Sequence, residues 1–255
     1  MFDFHLHLAR LPQPEQLAKA LLERGYHFIA IACEPWEWEI LEKIPLDDKC
    51  GKAFGIHPMI ATQVSEQDWD KLRELLVKNP DAGVGECGID KRYEGYITSE
   101  KVAGQSAFRS EISTQEQVFK RQLELARELR RDLQIHCVGD YARLIKMLKE
   151  CRFPEPGTQA RSIFHRFGGD VSIVRAAQSL NPIFSLHKDS FRKKSTAAAI
   201  AEIPAEQVRF ETDADECFLN EEGRCPIKSG MTVTGIVDEL ITLLQSVKAR
   251  YDSNS

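Results

Sequence analysis

Apolar residues fall into short runs separated by longer stretches where they recur every three or four positions. The runs are Phe2–Leu6, Phe28–Cys33, Ala53–His57, Ala82–Glu86, Leu133–Val138, Ser162–Phe167, Ile183–Leu186 and Val208–Thr212, and they read as β-strands. The wider spacing predicts helices over Gln16–Arg24, Pro35–Lys43, Trp69–Val77, Gln115–Arg130, Tyr141–Glu150, Val171–Ser179, Thr196–Ile203 and Thr234–Arg250. In the first of these, Leu17, Ala18, Ala20 and Leu21 are interleaved with charges. Pro35 suits a first helical turn, where its missing N–H costs nothing.

Strands that each lead into a helix, repeated to the end of the chain, are the pattern of an α/β fold closed as a (β/α)8 TIM barrel. A doubly wound open sheet is the alternative, but it usually carries a Gly-rich phosphate loop after its first strand, and none follows Leu6. The whole chain, 1–255, is expected to form one barrel domain, since no linker or repeat divides it. One connection stands out. Residues 90–113, after the fourth strand, are polar and include Tyr93, Gly95, Tyr96 and Gly104. Connections in βα units commonly take about 2–6 residues, and longer ones are often lids or binding loops.

Composition adds bounds. Apolar residues make up 42% of the chain, enough for a sizeable core, and the net charge is -5. That balance gives no global field favouring nucleic acid, so phosphate binding has to be local. Seven cysteines without a CxxC motif or an evident leader fit a reducing, cytoplasmic setting. No apolar run approaches membrane-spanning length, and no obligate protein partner is evident. Cys87 and Cys137 each follow a candidate ligand and read as small buried hydrophobes.

Candidate chemistry gathers at the strand ends, where barrel active sites are built. His5 and His7 are two apart on the first strand, so both point to one face and can chelate an ion. His57 ends the third strand and Glu86 the fourth, His136 lies on the fifth, His165 on the sixth, and Asp213 follows the eighth. Buried imidazoles and carboxylates are costly unless paired or bound to metal. Imidazole suits zinc and other transition ions, carboxylate also suits harder cations, and one glutamate can bridge two ions.

These segments, in this order, resemble the TatD family of metal-dependent hydrolases: Phe2-Asp3-Phe4-His5-Leu6-His7, Gly55-Ile56-His57-Pro58, Gly85-Glu86-Cys87-Gly88-Ile89-Asp90, Gln115 through Ala126, Ile135-His136-Cys137, Phe164-His165-Arg166-Phe167-Gly168-Gly169 and Glu211-Thr212-Asp213. The resemblance spans Met1 to Asp213. It implies a TIM barrel with two divalent ions (Mg, Zn or Mn) as cofactors, one held by His5, His7 and Asp213, the other by His136 and His165, with Glu86 bridging. It implies exonuclease-like deoxyribonuclease activity through a metal-bound hydroxide, on DNA or a small nucleotide phosphodiester. Asp213 and Glu86 would be catalytic, His57 would contact substrate phosphate, and Asp3 and Asp90 would support the ligands.

Two departures bear on substrate. The arginine that often follows the strand-five histidine is absent from His136-Cys137-Val138-Gly139-Asp140, and the text after Asp213 reads Ala214-Asp215-Glu216-Cys217 rather than running to proline. His187, with Lys188, Arg192, Lys193 and Lys194 after it, is a candidate replacement contact, though the lysines also suit a solvated helix start. Trp36 and Trp38 are candidates for base stacking or for packing. Two other readings stay open: a barrel hydrolase attacking an amide, lactone or ester carbon, and a non-catalytic metal-binding scaffold.

Overall fold

The computed structural model describes residues 1–95, 107–215 and 230–253, with the backbone alone at 94–95 and 107–113. Eight parallel strands pair in sequence order, each with the next. They are β1 Phe2–Leu6, β2 His27–Ala32, β3 Gly51–Phe54, β4 Gly83–Asp90, β5 Leu133–Val138, β6 Ser162–Phe164, β7 Pro182–Leu186 and β8 Val208–Phe210. Helices α1 Pro14–Glu23, α2 Pro35–Lys43, α3 Glu66–Lys78, α4 Ala107–Leu129, α5 Tyr141–Glu150, α6 Val171–Ala177, α7 Lys194–Ile200 and α8 Val233–Asp252 follow the strands in turn. The chain beyond β8 closes the ring against β1: Asp213 N–H donates to the His5 carbonyl at 2.9 Å, and His7 N–H to the Ala214 carbonyl at 3.1 Å. Three expected ligands therefore sit on the seam that shuts the barrel.

The main core lies between sheet and helices, with Leu6, Val84, Cys87, Ile89 and Ile135 facing Trp38, Phe119, Leu123 and Leu144. Smaller apolar clusters plug the interior, one of Phe4, Ile163 and Ile183 backed by Ile29, another of Ile31, Cys33 and Ala53. Apolar residues on both faces are why these strands read as near-continuous hydrophobic runs.

Two irregularities aim the site. On β1 the pairing register with β2 shifts between Asp3 and Leu6. Phe4 joins the interior cluster, and the next residue, His5, also turns inward toward Gln134. Such a bulge takes a backbone N–H out of the ladder, and Asp3 answers for it by accepting from His5 N–H at 3.1 Å. Asp3 also accepts from Thr212 N–H at 3.0 Å and Tyr26 hydroxyl at 2.8 Å, tying β1 to the far end of the chain. On β4 the register shifts between Val84 and Cys87, around Glu86. Gly85 and Gly88 frame it with φ of +120° and +151°, and a Cβ on Gly88 would lie 1.9 Å from the His136 carbonyl oxygen. Only glycine fits such a backbone against its neighbouring strand.

Helix α4 pins the strand ends. Gln122 accepts from Ile56 N–H at 2.8 Å and donates to the Ile56 carbonyl at 3.0 Å. Gln115, two turns earlier on the same face, does the same for Asp90 at 3.0 and 3.3 Å.

Several predicted bounds change. Strand β4 runs on to Asp90, so Glu86 lies within the strand rather than at its end. Strands β6 and β8 stop at Phe164 and Phe210, leaving His165 and Asp213 on the loops just beyond. The expected 90–113 loop is shorter than predicted: Asp90 is in β4, Lys91–Gly95 form a 3-10 turn, and α4 begins at Ala107. Phe108 and Ile112 stand four apart there, a helical spacing that the polar residues around them obscured. Tyr96 and Gly104, and Glu216 and Cys217 after β8, lie outside the described residues.

Candidate metal centre

Six side chains from five strands or strand ends meet at the C-terminal mouth of the barrel: His5, His7, Glu86, His136, His165 and Asp213, each at most 7% exposed. Glu86 is their hub. Its Oε2 lies 3.4 Å from His5 Nε2 and 3.3 Å from His7 Nε2. Its Oε1 lies 2.5 Å from His136 Nδ1 and 2.7 Å from His165 Nε2. The two oxygens of one carboxylate thus turn to two different histidine pairs. Asp213 Oδ1 joins the first pair, 3.8 Å from His5 Nε2 and 3.6 Å from His7 Nε2.

The first group fits an ion. Ligand atoms about 2.1 Å from one metal stand roughly 3.0–3.4 Å apart, close to the 3.3 and 3.4 Å separations around Glu86 Oε2. His5 Nε2 is buried without a hydrogen bond, a lone pair that an ion would satisfy. His5, His7 and Glu86 form one cluster able to hold a metal ion, and His57, Glu86 and His136 another.

Three of the four imidazoles have a polar group behind them. His136 Nε2 lies 2.8 Å from Asp90 Oδ2, His165 Nδ1 lies 3.5 Å from Glu211 Oε1, and His5 Nδ1 lies 3.3 Å from Gln134 Oε1. Such partners fix which ring nitrogen faces a metal and raise its basicity.

The electrostatics are those of a charge cluster removed from water. Burial opposes ionisation of Glu86, yet His165, His57 and His136 hold its carboxyl well below the usual range. Burial likewise opposes charging of His165, but Glu86 and Glu211 raise it to about 10. Asp213 is held well below the ordinary carboxylate range by His7 and Arg166 against the burial that would raise it. Asp3 differs: burial dominates and lifts it to about 7, despite the Thr212 and Tyr26 hydrogen bonds.

His57 lies beside Glu86 with its ring oriented from behind. Its Nδ1 accepts from Met59 N–H at 3.0 Å, and burial lowers its pKa to about 4. The neutral ring therefore carries its proton on Nε2, which points at Glu86 Oε1 3.6 Å away. Tyr93 stands edge-on to this ring, centroids 6.1 Å apart. His187 repeats the geometry on the strand-seven side, Nδ1 accepting from Asp189 N–H at 3.2 Å, fully buried with Arg166 and Asp213 in its field.

Residue-type reasoning missed Arg166, Gln134 and Glu211. Arg166 Nη1 donates to Asp213 Oδ2 at 2.7 Å and Nη2 to Asp189 Oδ2 at 2.5 Å. Following His165, it should face away from it, but its φ of +44° turns the backbone and brings the guanidinium to the site. Gln134 was legible, being two residues before His136 and so on the same strand face. Of the aromatic candidates, Trp38 is buried and donates to the Ala32 and Gly55 carbonyls at 3.2 and 3.1 Å. Its role is packing, whereas Trp36 is 44% exposed. Lys193 and Lys194 are exposed, in keeping with a solvated helix start.

Comparison with known proteins converges on one group. The model of the TatD related DNase family matches residues 2–244. An uncharacterized metal-dependent hydrolase of Bacillus subtilis is 24% identical over 220 residues, 84% of this chain and 79% of that protein. A 3'-5' ssDNA/RNA exonuclease TatD of Edwardsiella piscicida is 30% identical over 173 residues, covering 66% of this chain and 58% of its own length. The solved structure of a TatD homolog from Escherichia coli superposes with a TM-score of 0.67 at 20% identity, covering 97% of both chains, so the barrel fold is shared.

Proposed function

The chain belongs to the TatD related DNase family, and we propose that it is a two-metal phosphodiesterase, a single-domain barrel removing nucleotides from DNA ends or cleaving small nucleotide phosphodiesters. One observation carries the reading. Glu86 presents Oε2 to His5 and His7 and Oε1 to His136 and His165, the disposition of a carboxylate bridging two ions. In this reading His5, His7 and Asp213 hold one ion and His136 and His165 the other.

Bound divalent ions would supply Lewis-acid charge to a phosphoryl group and an acidified water. The chain's own residues do the rest. Asp213, held ionised by Arg166 and His7, orients the attacking water and takes its proton. His57, neutral with its hydrogen on Nε2, donates to a phosphate oxygen rather than to a metal. His187, its tautomer fixed the same way, lines the far side of Asp213. The ions, not the acidic chain, supply the local positive charge that draws a phosphate. Glu86 at the bridging position, where carbon-centre relatives often have a modified lysine, favours phosphodiesters over amides and lactones.

The five described cysteines are all free thiols, in keeping with a cytoplasmic enzyme. Among the described residues no helix is long and apolar enough to cross a membrane.

Glu86→Gln and Asp213→Asn test the reading. Each should cost about 10²- to 10³-fold in hydrolysis of a single-stranded DNA oligomer with Mg, Mn or Zn, on the scale of removing a principal electrostatic group, with circular dichroism unchanged. Wild-type rates in both variants, or turnover of lactones and amides but of no phosphodiester, would sink it.

A further inference from the structure

Gln134 is 1% exposed, inside the barrel and two residues before His136. Its amide nitrogen donates to the Phe4 carbonyl at 3.2 Å, and its Oε1 lies 3.3 Å from His5 Nδ1. These contacts close a chain of proton logic. The Phe4 carbonyl has no hydrogen to give, so the amide must present its NH2 to it. The amide oxygen is then left facing His5, so His5 Nδ1 must carry the ring hydrogen. Flipping the amide would set two oxygens against each other and strand its hydrogens.

In a neutral imidazole with Nδ1 protonated, Nε2 is a bare lone pair. That atom is buried without a hydrogen bond and stands 3.4 Å from Glu86 Oε2 and 3.8 Å from Asp213 Oδ1. His136 and His165 have carboxylates behind them, Asp90 and Glu211. His5 has a neutral amide that is itself oriented by a main-chain carbonyl from the neighbouring residue on its own strand. Asp3 adds to this by fixing the backbone of His5 through its N–H.

We propose that Gln134 is a positioning residue that sets the tautomer of His5 and so prepares Nε2 to bind the ion shared with His7 and Asp213. The proposal rests on the two-ion reading above, but its first test does not use an ion or a substrate. In the full chain, labelled with 15N at histidine and stripped by a chelator, two-bond 1H–15N spectra report the proton position on His5. Wild type should show Nδ1–H with an unprotonated Nε2. Gln134→Leu, which offers no acceptor, should lose that single tautomer. Gln134→Met, of similar length and likewise without an acceptor, should lose it too.

The second readout is Zn²⁺ binding. In Gln134→Leu one of two Zn²⁺ affinities should fall about 10- to 100-fold, as for other partners of metal-bound histidines, with the other unchanged. Gln134→Met should show the same fall. A wild-type His5 protonated at Nε2 overturns the proposal, as does a Gln134→Leu protein matching wild type in tautomer and both affinities. Should Gln134→Leu fail to fold, Gln134→Met decides: a His5 that keeps its single Nδ1–H tautomer there refutes the role. A chain that binds no Zn²⁺ refutes the two-ion reading, while the tautomer still decides what Gln134 does.

Discussion

Among the described residues, Arg166 is the charged side chain that donates to Asp213 from outside the histidine cluster, and Arg166→Gln removes it. Arg166 Nη1 reaches Asp213 Oδ2 at 2.7 Å. A hydrogen bond to a charged group contributes about 1.5–3 kcal/mol when sheltered. The Arg166 side chain is 41% exposed, so solvent screening brings its effect on Asp213 down to about 1 kcal/mol. One pKa unit corresponds to about 1.4 kcal/mol, so the Asp213 carboxyl should rise by roughly 0.7 unit. Asp213 is held below its ordinary value in the folded protein. The stabilisation from a group held low is present above its unfolded pKa and fades as pH falls through the folded one. Weakening the hold moves that fading upward. The acid limb of kcat/KM, which reports the free enzyme, should therefore shift toward neutral by the same amount. The assay is a pH series of initial rates on a single-stranded DNA oligomer at saturating Mn²⁺. Arg175→Gln is the control, since Arg175 pairs with Glu202 at 3.0 Å on the exposed surface. An acid limb that stays put, or that moves equally in the control, would refute the reasoning. So would a rise in KM alone, which would make Arg166 a substrate contact.

Other residues behind the site give sharp expectations. Gln122→Leu strands both polar groups of buried Ile56, at about 1–3 kcal/mol each; urea unfolding should lose about 2–6 kcal/mol in total with an unchanged m-value. A loss below about 1 kcal/mol would show that the strand end relaxes or finds water. Asp90→Asn leaves His136 Nε2 an acceptor but removes the negative charge 2.8 Å away. One ion's affinity should then drop about 10- to 100-fold, read by competition with a chromophoric chelator, and an unchanged affinity would mean that Asp90 serves only Arg92, whose Nε donates to Asp90 Oδ1 at 3.0 Å.

Much of the site was legible because its signals are local. The His5–His7 pair is two apart on a strand, and period-2 alternation alone puts both rings on one face. His57, Glu86, His136, His165 and Asp213 fall on or just after apolar runs, and a parallel barrel brings all such ends to one mouth. The helices were found where an apolar stripe meets the core, and α4 was shortened where polar residues obscure the helical spacing. Other features depend on breaks in those regular periods. A strict alternation would turn Phe4 and His5 to opposite faces; the shift after Asp3 turns both inward. The same rule turns Arg166 away from His165, and its left-handed backbone brings it back to Asp213.

By itself, then, the sequence determined the barrel, its direction and the kinds of atoms at its mouth, because periodicity and residue type act over a few neighbouring positions. Only the tertiary structure decided which oxygen of Glu86 faces which histidine, and which nitrogen of each ring is free. Those choices come from pairs far apart in the chain: Gln134 with His5 across 129 residues, and Asp3 with Thr212 across 209. A hydrogen bond fixes a proton only when donor and acceptor stand at contact distance, and for these pairs closure of the barrel makes that contact.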